Sequence, residues 1–202
     1  MTNMINKIII GQILGDGHIE KVRKNCRISF SFGQHYLDYA NWINSIFKDY
    51  CTNDVYSVQS TAKNKEYTNY RLKTRTTNEF TQFHEVFYKF NEKTNKYYKV
   101  VPKDIVVCEV VLSHFIIGDG NFSKDKRVRI FTNNYTFEEC IILSESIKKH
   151  CDVKCEVIFD RISKTKGNPQ YILTIGSTQL NKLQSKIIPY IHKSIYYRVG
   201  LV

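Results

Sequence analysis

No apolar run in this chain of 202 residues approaches the ~20 that a membrane-spanning helix needs, so a span is not expected. Residues 1–7 carry no charged region leading into an apolar segment and a cleavage site, so secretion is not expected either. The six cysteines form neither a CxxC pair nor an evenly spaced framework, and are expected as reduced intracellular thiols. His150-Cys151-x3-Cys155 is the one cluster with zinc-like spacing, and it lacks the second close pair that a zinc site requires. Low-complexity segments are missing too. The abundance of Lys, Asn, Ile and Tyr fits an AT-rich genome such as that of an organelle, the mitochondrion for instance.

What is present is globular: 42% hydrophobic and 24% charged residues, enough for a sizeable core. Thirty Lys and Arg face nineteen Asp and Glu, a net charge of +11. Residues 1–99 hold 15 basic and 9 acidic side chains, and residues 100–202 hold 15 and 10. An excess spread over both halves suits a long polyanion that touches both.

Two stretches repeat. Ile8-Ile9-Ile10-Gly11-Gln12-Ile13-Leu14-Gly15-Asp16-Gly17 is matched by Val111-Leu112-Ser113-His114-Phe115-Ile116-Ile117-Gly118-Asp119-Gly120, which places the two aspartates 103 positions apart. The repeat continues beyond the motif. Phe32-Gly33-Gln34-His35-Tyr36 pairs with Phe131-Thr132-Asn133-Asn134-Tyr135, and Tyr97-Tyr98-Lys99-Val100 with Tyr196-Tyr197-Arg198-Val199. The offset drifts only from 103 to 99, which indicates one pseudo-twofold molecule. Its expected parts are an N-terminal half over 1–96, a linker over 97–104 and a C-terminal half over 105–202, with the run 91–99 and Pro102 marking the linker.

Residues 5–15 predict an apolar helix with Gly11 and Gly15 on one face. Each glycine costs roughly 1 kcal/mol against alanine inside a helix, so two of them imply close approach of another backbone. The second helix has His114 where the first has Gly11, which makes one contact rougher. Crossing these helices side by side brings Asp16 and Asp119 together. Strict alternation predicts a strand over 27–33, with Arg27, Ser29, Ser31 and Gly33 on one face and Ile28, Phe30 and Phe32 on the other. Residues 69–75 repeat that pattern, 54–60 predict a strand that ends in a polar loop over 61–66, and 127–130, 153–161 and 170–176 supply strands of the second half. Helices are expected over 37–50, 78–90, 137–151 and 179–190.

Two aspartates at the ends of packed helices, without neighbouring carboxylates, suit a hard cation better than acid–base catalysis. Mg²⁺ takes oxygen ligands, and the backbone carbonyls of Gly15 and Gly118 would add to Asp16 and Asp119. One copy alone would read as a glycine-capped helix end; two at matched positions in a basic frame do not. Gln34 and Asn133 either hold attacking waters or cap the following helix. Lys99 and Arg198 either stabilise charge on a phosphate or are solvated cations. The polar strand faces would read DNA in a groove, through Arg27, Ser29, Ser31, Asn69, Arg71, Lys73, Arg75, Arg127, Arg129, Lys154 and Arg161.

The two motif copies, Ile9 through Gly17 and Leu112 through Gly120, resemble those of monomeric LAGLIDADG homing endonucleases. The resemblance spans almost the whole chain. It implies an α+β fold of two αββαββα halves packed through the motif helices, with antiparallel sheets forming a saddle over double-stranded DNA. It also implies a monomer in which Asp16 and Asp119 bind Mg²⁺, with Mn²⁺ substituting and Ca²⁺ supporting binding without cleavage. Both strands would be cut with short 3′ overhangs, with supporting roles for Gln34, Asn133, Lys99 and Arg198. Leu14 and Ile117 replace an earlier acidic residue of the motif. Asn133 and Arg198 stand where a second glutamine and a second lysine are expected, which implies unequal half-sites, a non-palindromic target and sequential cleavage. Two rivals remain: an intron maturase that binds RNA on the same scaffold, and a non-cleaving DNA-binding protein, which would normally carry an added helix-turn-helix segment.

Overall fold

Glycine spacing on the first apolar helix sets how the molecule is assembled. In the computed structural model, which describes residues 1–62 and 65–201, α1 (Asn3–Leu14) packs along α4 (Glu109–Asp119). Every residue of α4 from Val110 to Ile117 is buried, as expected of a helix that is apolar all round and walled in on every side. A Cβ on Gly11 would stand 2.5 Å from the Val111 carbonyl oxygen and 2.6 Å from the His114 Cβ; one on Gly15 would stand 3.2 Å from the Gly118 Cα. The rougher contact expected at His114 is therefore a fit. Its Cβ sits against the bare Gly11 backbone, and its imidazole stacks on Trp42 with ring planes 3° apart.

Each half lays a four-stranded antiparallel sheet beside this seam. The first contains β1 (His18–Val22), β2 (Asn25–Gly33), β3 (Tyr56–Ala62) and β4 (Lys65–Lys73) in the order β1-β2-β4-β3. The second contains β7 (Gly120–Phe122), β8 (Val128–Phe131), β9 (Glu156–Ile162) and β10 (Pro169–Ile175) in the matching order β7-β8-β10-β9. Period-two patterning sets the faces: Cys26, Ile28, Phe30 and Phe32 of β2 are buried, and Arg27, Ser29 and Ser31 are not. Helices α2 (Leu37–Ile46), α3 (Asn78–Phe87), α5 (Phe137–Cys151) and α6 (Leu180–Ile187) cover the apolar faces, and the cores of the two halves merge into one cluster. The two-halved αββαββα order is thus present. Of the polar loop expected over 61–66, residues 63 and 64 lie outside the described residues, and β3 runs on to Ala62.

Three expectations are corrected. Residues 91–99 belong to a hairpin of β5 (Tyr88–Asn91) and β6 (Lys96–Lys99), so the connection between the halves falls on residues 100–108. The helix expected to reach Phe90 stops at Phe87 because Tyr88 is buried. Its hydroxyl accepts from the Ile19 amide at 3.0 Å, and the strand alternation that follows pairs Phe90 with Tyr97. The helix expected over 179–190 stops at Ile187, since Pro189 has no amide hydrogen to continue it; 3-10 turns follow at Ile188–Tyr190 and Lys193–Val199, the last closed by Gly200 at φ +72°.

Gly11→Ala should lower the melting temperature. Alanine is the better helix former by roughly 1 kcal/mol, but overpacking costs about 1–3 kcal/mol and here the obstacle is partly backbone. Gly176→Ala, which meets nothing within 4 Å, is the control. A Gly11→Ala protein that melts at or above the wild-type temperature would remove the seam from this account.

Candidate active site

Both motif helices run out at the same place, and their final carbonyls need partners, because the last turn of a helix leaves four without intrahelical donors. Tyr135 Oη donates to the Leu14 carbonyl at 3.0 Å, and Lys99 Nζ to the Gly15 carbonyl at 2.6 Å. Across the seam, Arg198 Nη1 donates to the Gly118 carbonyl at 2.6 Å and to that of Gly120 at 3.0 Å. Two cations thus sit where two helix C-termini concentrate negative potential. The glycine after each aspartate has its own cause: a Cβ at Gly17 would lie 2.6 Å from the Gln12 carbonyl oxygen that its amide donates to, and one at Gly120 would collide with the Ile116 carbonyl.

Asp16 follows Gly15 into solvent, whereas Asp119, the last residue of α4, is half-buried. The backbones carrying them touch: a Cβ on Gly118 would stand 2.8 Å from the Asp16 amide nitrogen. Burial, and then the neighbouring Asp16 charge, push the Asp119 carboxyl up to about 7 against the pull of Lys99 and Arg198. Burial likewise brings Lys99 down to about 8, opposed by Asp119 and Asp16. Asp16, Asp119, Lys99, Arg198 and the carbonyls of Gly15 and Gly118, all singled out in the sequence, therefore converge.

Gln34 and Asn133 make no direct contact with that group through a hydrogen bond among the described residues. The exposed Gln34 amide contacts the His35 imidazole at 3.0 Å; Asn133 accepts from Gln170 through its backbone, and its Oδ1 is buried without a partner. Three tyrosines matched by the repeat but given no role in the sequence belong to the site: Tyr135, Tyr36 and Tyr197. A recess between the halves is lined by Gln12, Asp16, Tyr36, Tyr39, Gly118 and Arg198 among others. At its base Gln12 Nε2 donates to Tyr39 Oη at 2.7 Å and lies 3.1 Å from His114 Nδ1, which ties α1, α2 and α4 together.

The polar sheet faces carry an unexpected feature. Glu20 on β1 binds Arg27 through two contacts of 2.7 and 2.9 Å, accepts from Ser29 at 3.3 Å and lies 3.8 Å from Lys73. The Arg27 hydrogen bond, with help from Lys73 and Ser29, holds its carboxyl down to about 2. In the other half Asp125 gathers Arg127 at 3.2 Å, Arg129 at 3.3 Å and the Ser123 hydroxyl. Ser31 and Arg71 are exposed on the first sheet, and Asn69 donates to Ser60 at 2.8 Å. Two residues depart from the expected strands and a third is engaged within its own: Arg75 lies past the end of β4 with its guanidinium 5.8 Å from the Tyr50 ring, Lys154 falls before β9, and Arg161, exposed on β9, is paired with Asp160 at 2.6 Å. Strand alternation cannot show any of these, since the first two positions lie outside the strands and the third turns on a neighbour.

With this geometry in place, the model of the LAGLIDADG DNA endonuclease family matches residues 6–183. The intron-encoded endonuclease ai4 of Dictyostelium discoideum is 29% identical over 157 residues, 75% of this chain and 93% of that protein. The cytochrome b mRNA maturase bI2 of Saccharomyces cerevisiae is 25% identical over 204 aligned positions; the match takes in 97% of this chain, which spans about half (47%) of that relative. Among solved structures, the homing endonuclease I-WcaI bound to its DNA recognition sequence superposes with a TM-score of 0.84 at 19% identity, covering 100% of this chain and 88% of that one. A mesophilic variant of I-DmoI gives 0.55 at 15% identity, covering 92% and 96%.

The raised Asp119 carboxyl makes stability depend on pH. Its folded value, about 7, lies above the ~3.9 of an unfolded aspartate, so the contribution is fully present below that unfolded value and is lost as pH rises to about 7. The metal-free protein should therefore lose melting temperature between those limits relative to Asp119→Asn. Parallel melting curves for the two proteins across that range would show that Asp119 is not the group responsible.

Proposed function

We propose a reaction from this premise: the chain belongs to the LAGLIDADG DNA endonuclease family. Its reaction, on this reading, is site-specific hydrolysis of one phosphodiester in each strand of a long, non-palindromic DNA duplex, leaving short 3′ overhangs. The observation that carries this is the meeting of Asp16, Asp119, Lys99 and Arg198 at the joined ends of two helices.

The donor set fits a hard divalent cation. It offers carboxylate and carbonyl oxygens, and burial beside Asp16 keeps Asp119 from ionising easily, a strain that a cation would relieve. Asp16 and Asp119 would hold it, with the carbonyls of Gly15 and Gly118, each of which keeps a second lone pair beside the cation it already accepts from. Structures of I-DmoI with its DNA and Mn, and with Mg present, support this choice of metal. When bound, such an ion supplies Lewis-acid activation of water and of the phosphate. The chain's own residues do the rest. Lys99, largely protonated at neutral pH, and Arg198 neutralise charge gathering on the phosphate oxygens. Gln34, exposed just past the end of β2, and its counterpart Asn133, whose Oδ1 has no partner among the described residues, would accept from water and orient it. In each cut the water oxygen joins phosphorus, one P–O bond to a sugar breaks, and a proton passes to the departing oxygen.

The two basic sheets hold a monomer on the duplex, with phosphates positioning it and base edges specifying the site. RNA binding in intron splicing is the second reading, favoured because relatives named as maturases align with 96–97% of this chain; that activity would not need the aspartates.

Asp16→Asn and Asp119→Asn should each abolish double-strand cleavage and leave DNA binding intact, measured on targets recovered from a randomised library with Mg²⁺. Double-strand breaks at the wild-type rate in either variant would refute the metal assignment. Glu20→Gln should release Arg27 and Lys73 to phosphates, raising affinity and steepening the fall of log K with log salt by about 0.9 per phosphate newly contacted. An unchanged salt slope would mean that these cations already reach DNA or never do.

A further inference from the structure

We propose that Tyr36 is a positioning residue for Arg198, and that this grip, which Lys99 lacks, makes cleavage of the two strands unequal. The inference rests on the nuclease reading above. The repeat equates Tyr36 with Tyr135 and Lys99 with Arg198, so a symmetric molecule would use the members of each pair alike. It does not. Tyr135 is buried and spends its hydroxyl on the Leu14 carbonyl at the end of α1. Tyr36 stands at the turn between β2 and α2, where its amide donates to the Gly33 carbonyl, and points its hydroxyl across the seam into the other half.

There it receives Arg198 Nη2 at 3.3 Å and lies 2.5 Å from Tyr197 Oη, with the guanidinium 5.8 Å from the centre of its ring. Arg198 Nε donates to Tyr197 at 3.2 Å while Nη1 spans the Gly118 and Gly120 carbonyls. All three guanidinium nitrogens are committed, and because the group is planar its orientation is fixed. Burial would raise the Tyr36 phenol, but the hydrogen bonds from Arg198 and Tyr197 outweigh it and leave it below its ordinary value, as a hydroxyl that chiefly accepts should be. Among the described residues Lys99 has one hydrogen bond, to Gly15, from a freely rotating ammonium. The first half therefore sets the aim of the second half's cation, and among the described residues the second half makes no such contact with Lys99. Tyr36 and Arg198 line both the recess beside Asp16 and the cleft beside Asp119, so an untethered guanidinium would misaim where phosphate charge is to be met.

The test uses the full chain and a library-derived target with each strand end-labelled. Tyr36→Phe, and independently Tyr197→Phe, should slow one strand on the order of ten- to a hundredfold, the effect expected of a misplaced catalytic group. The slowed strand should be the one that Arg198→Lys slows, and nicked DNA should accumulate. Affinity for DNA in Ca²⁺ should not change. The Arg198 guanidinium N–H resonances in the metal-free, DNA-free protein should be protected from solvent exchange in the wild type, with Nη2–H exposed in Tyr36→Phe and Nε–H exposed in Tyr197→Phe. Equal slowing of both strands, slowing of the strand that Lys99→Met slows, or an unaltered Arg198 resonance would each overturn the proposal. A wild-type protein that cuts no DNA would defeat the nuclease reading instead, and the resonance would still decide whether Tyr36 holds Arg198.

Discussion

Backbone-to-backbone contact between α1 and α4 is the constraint from which the other features follow. A Cβ on Gly15 would stand 3.2 Å from the Gly118 Cα, and Gly11 lies against the Val111 carbonyl and the His114 Cβ, so neither glycine could carry a side chain without moving the helices apart. Helices so close must end together, which delivers Asp16 and Asp119 to one point from opposite halves. The same contact fixes the two sheets, because β1 and β7 start within four residues of the ends of α1 and α4.

That convergence is electrostatically unfavourable on its own. Two helix C-termini and two carboxylates place negative potential in one spot, and the rise of Asp119 to about 7 expresses the conflict. The chain answers it with Lys99 and Arg198, each delivered by the last element of its half and each hydrogen-bonded to the glycine carbonyl just before an aspartate. Burial opposes charge on Lys99, yet the aspartates keep it cationic over the neutral range. A region so arranged keeps negative potential that its own two cations only partly answer, the electrostatic condition that the proposed divalent ion would relieve.

How much of this could be read from residues alone depends on the range of the interaction. Gly11, Gly15, Gly118 and the two aspartates could be found because backbone approach imposes residue types at fixed spacing, and the repeat doubled the signal. Alternation exposed Arg27, Ser29, Ser31 and Arg71 for the same reason: a period of two is local. The β5–β6 hairpin escaped because helix periodicity continues past Phe87, and only the long-range contact of Tyr88 with Ile19 ends it. Glu20 and Asp125 escaped because a pattern that assigns residues to a face does not say which of them pair on it. Tyr36 and Tyr135 were matched as equivalents, and nothing in the chain shows that their hydroxyls part company.

Their divergence marks where symmetry is enforced and where it is not. At the seam, both copies must satisfy the same clearance, so Gly15 faces Gly118, and the one large residue, His114, is accepted because Gly11 opposite it is bare. A residue that only has to find a hydrogen-bond partner is under no such rule. Tyr135 caps a carbonyl, Tyr36 holds a guanidinium, and both reach across the same seam. Replacing an ammonium with a guanidinium at residue 198 is what allows the second arrangement, since a planar group with five donors can hold two carbonyls and two phenols at once. Close packing thus keeps the twofold frame while side-chain chemistry breaks it, and under the proposed nuclease reading a pair of half-sites built this way would meet a duplex whose two strands need not be read alike.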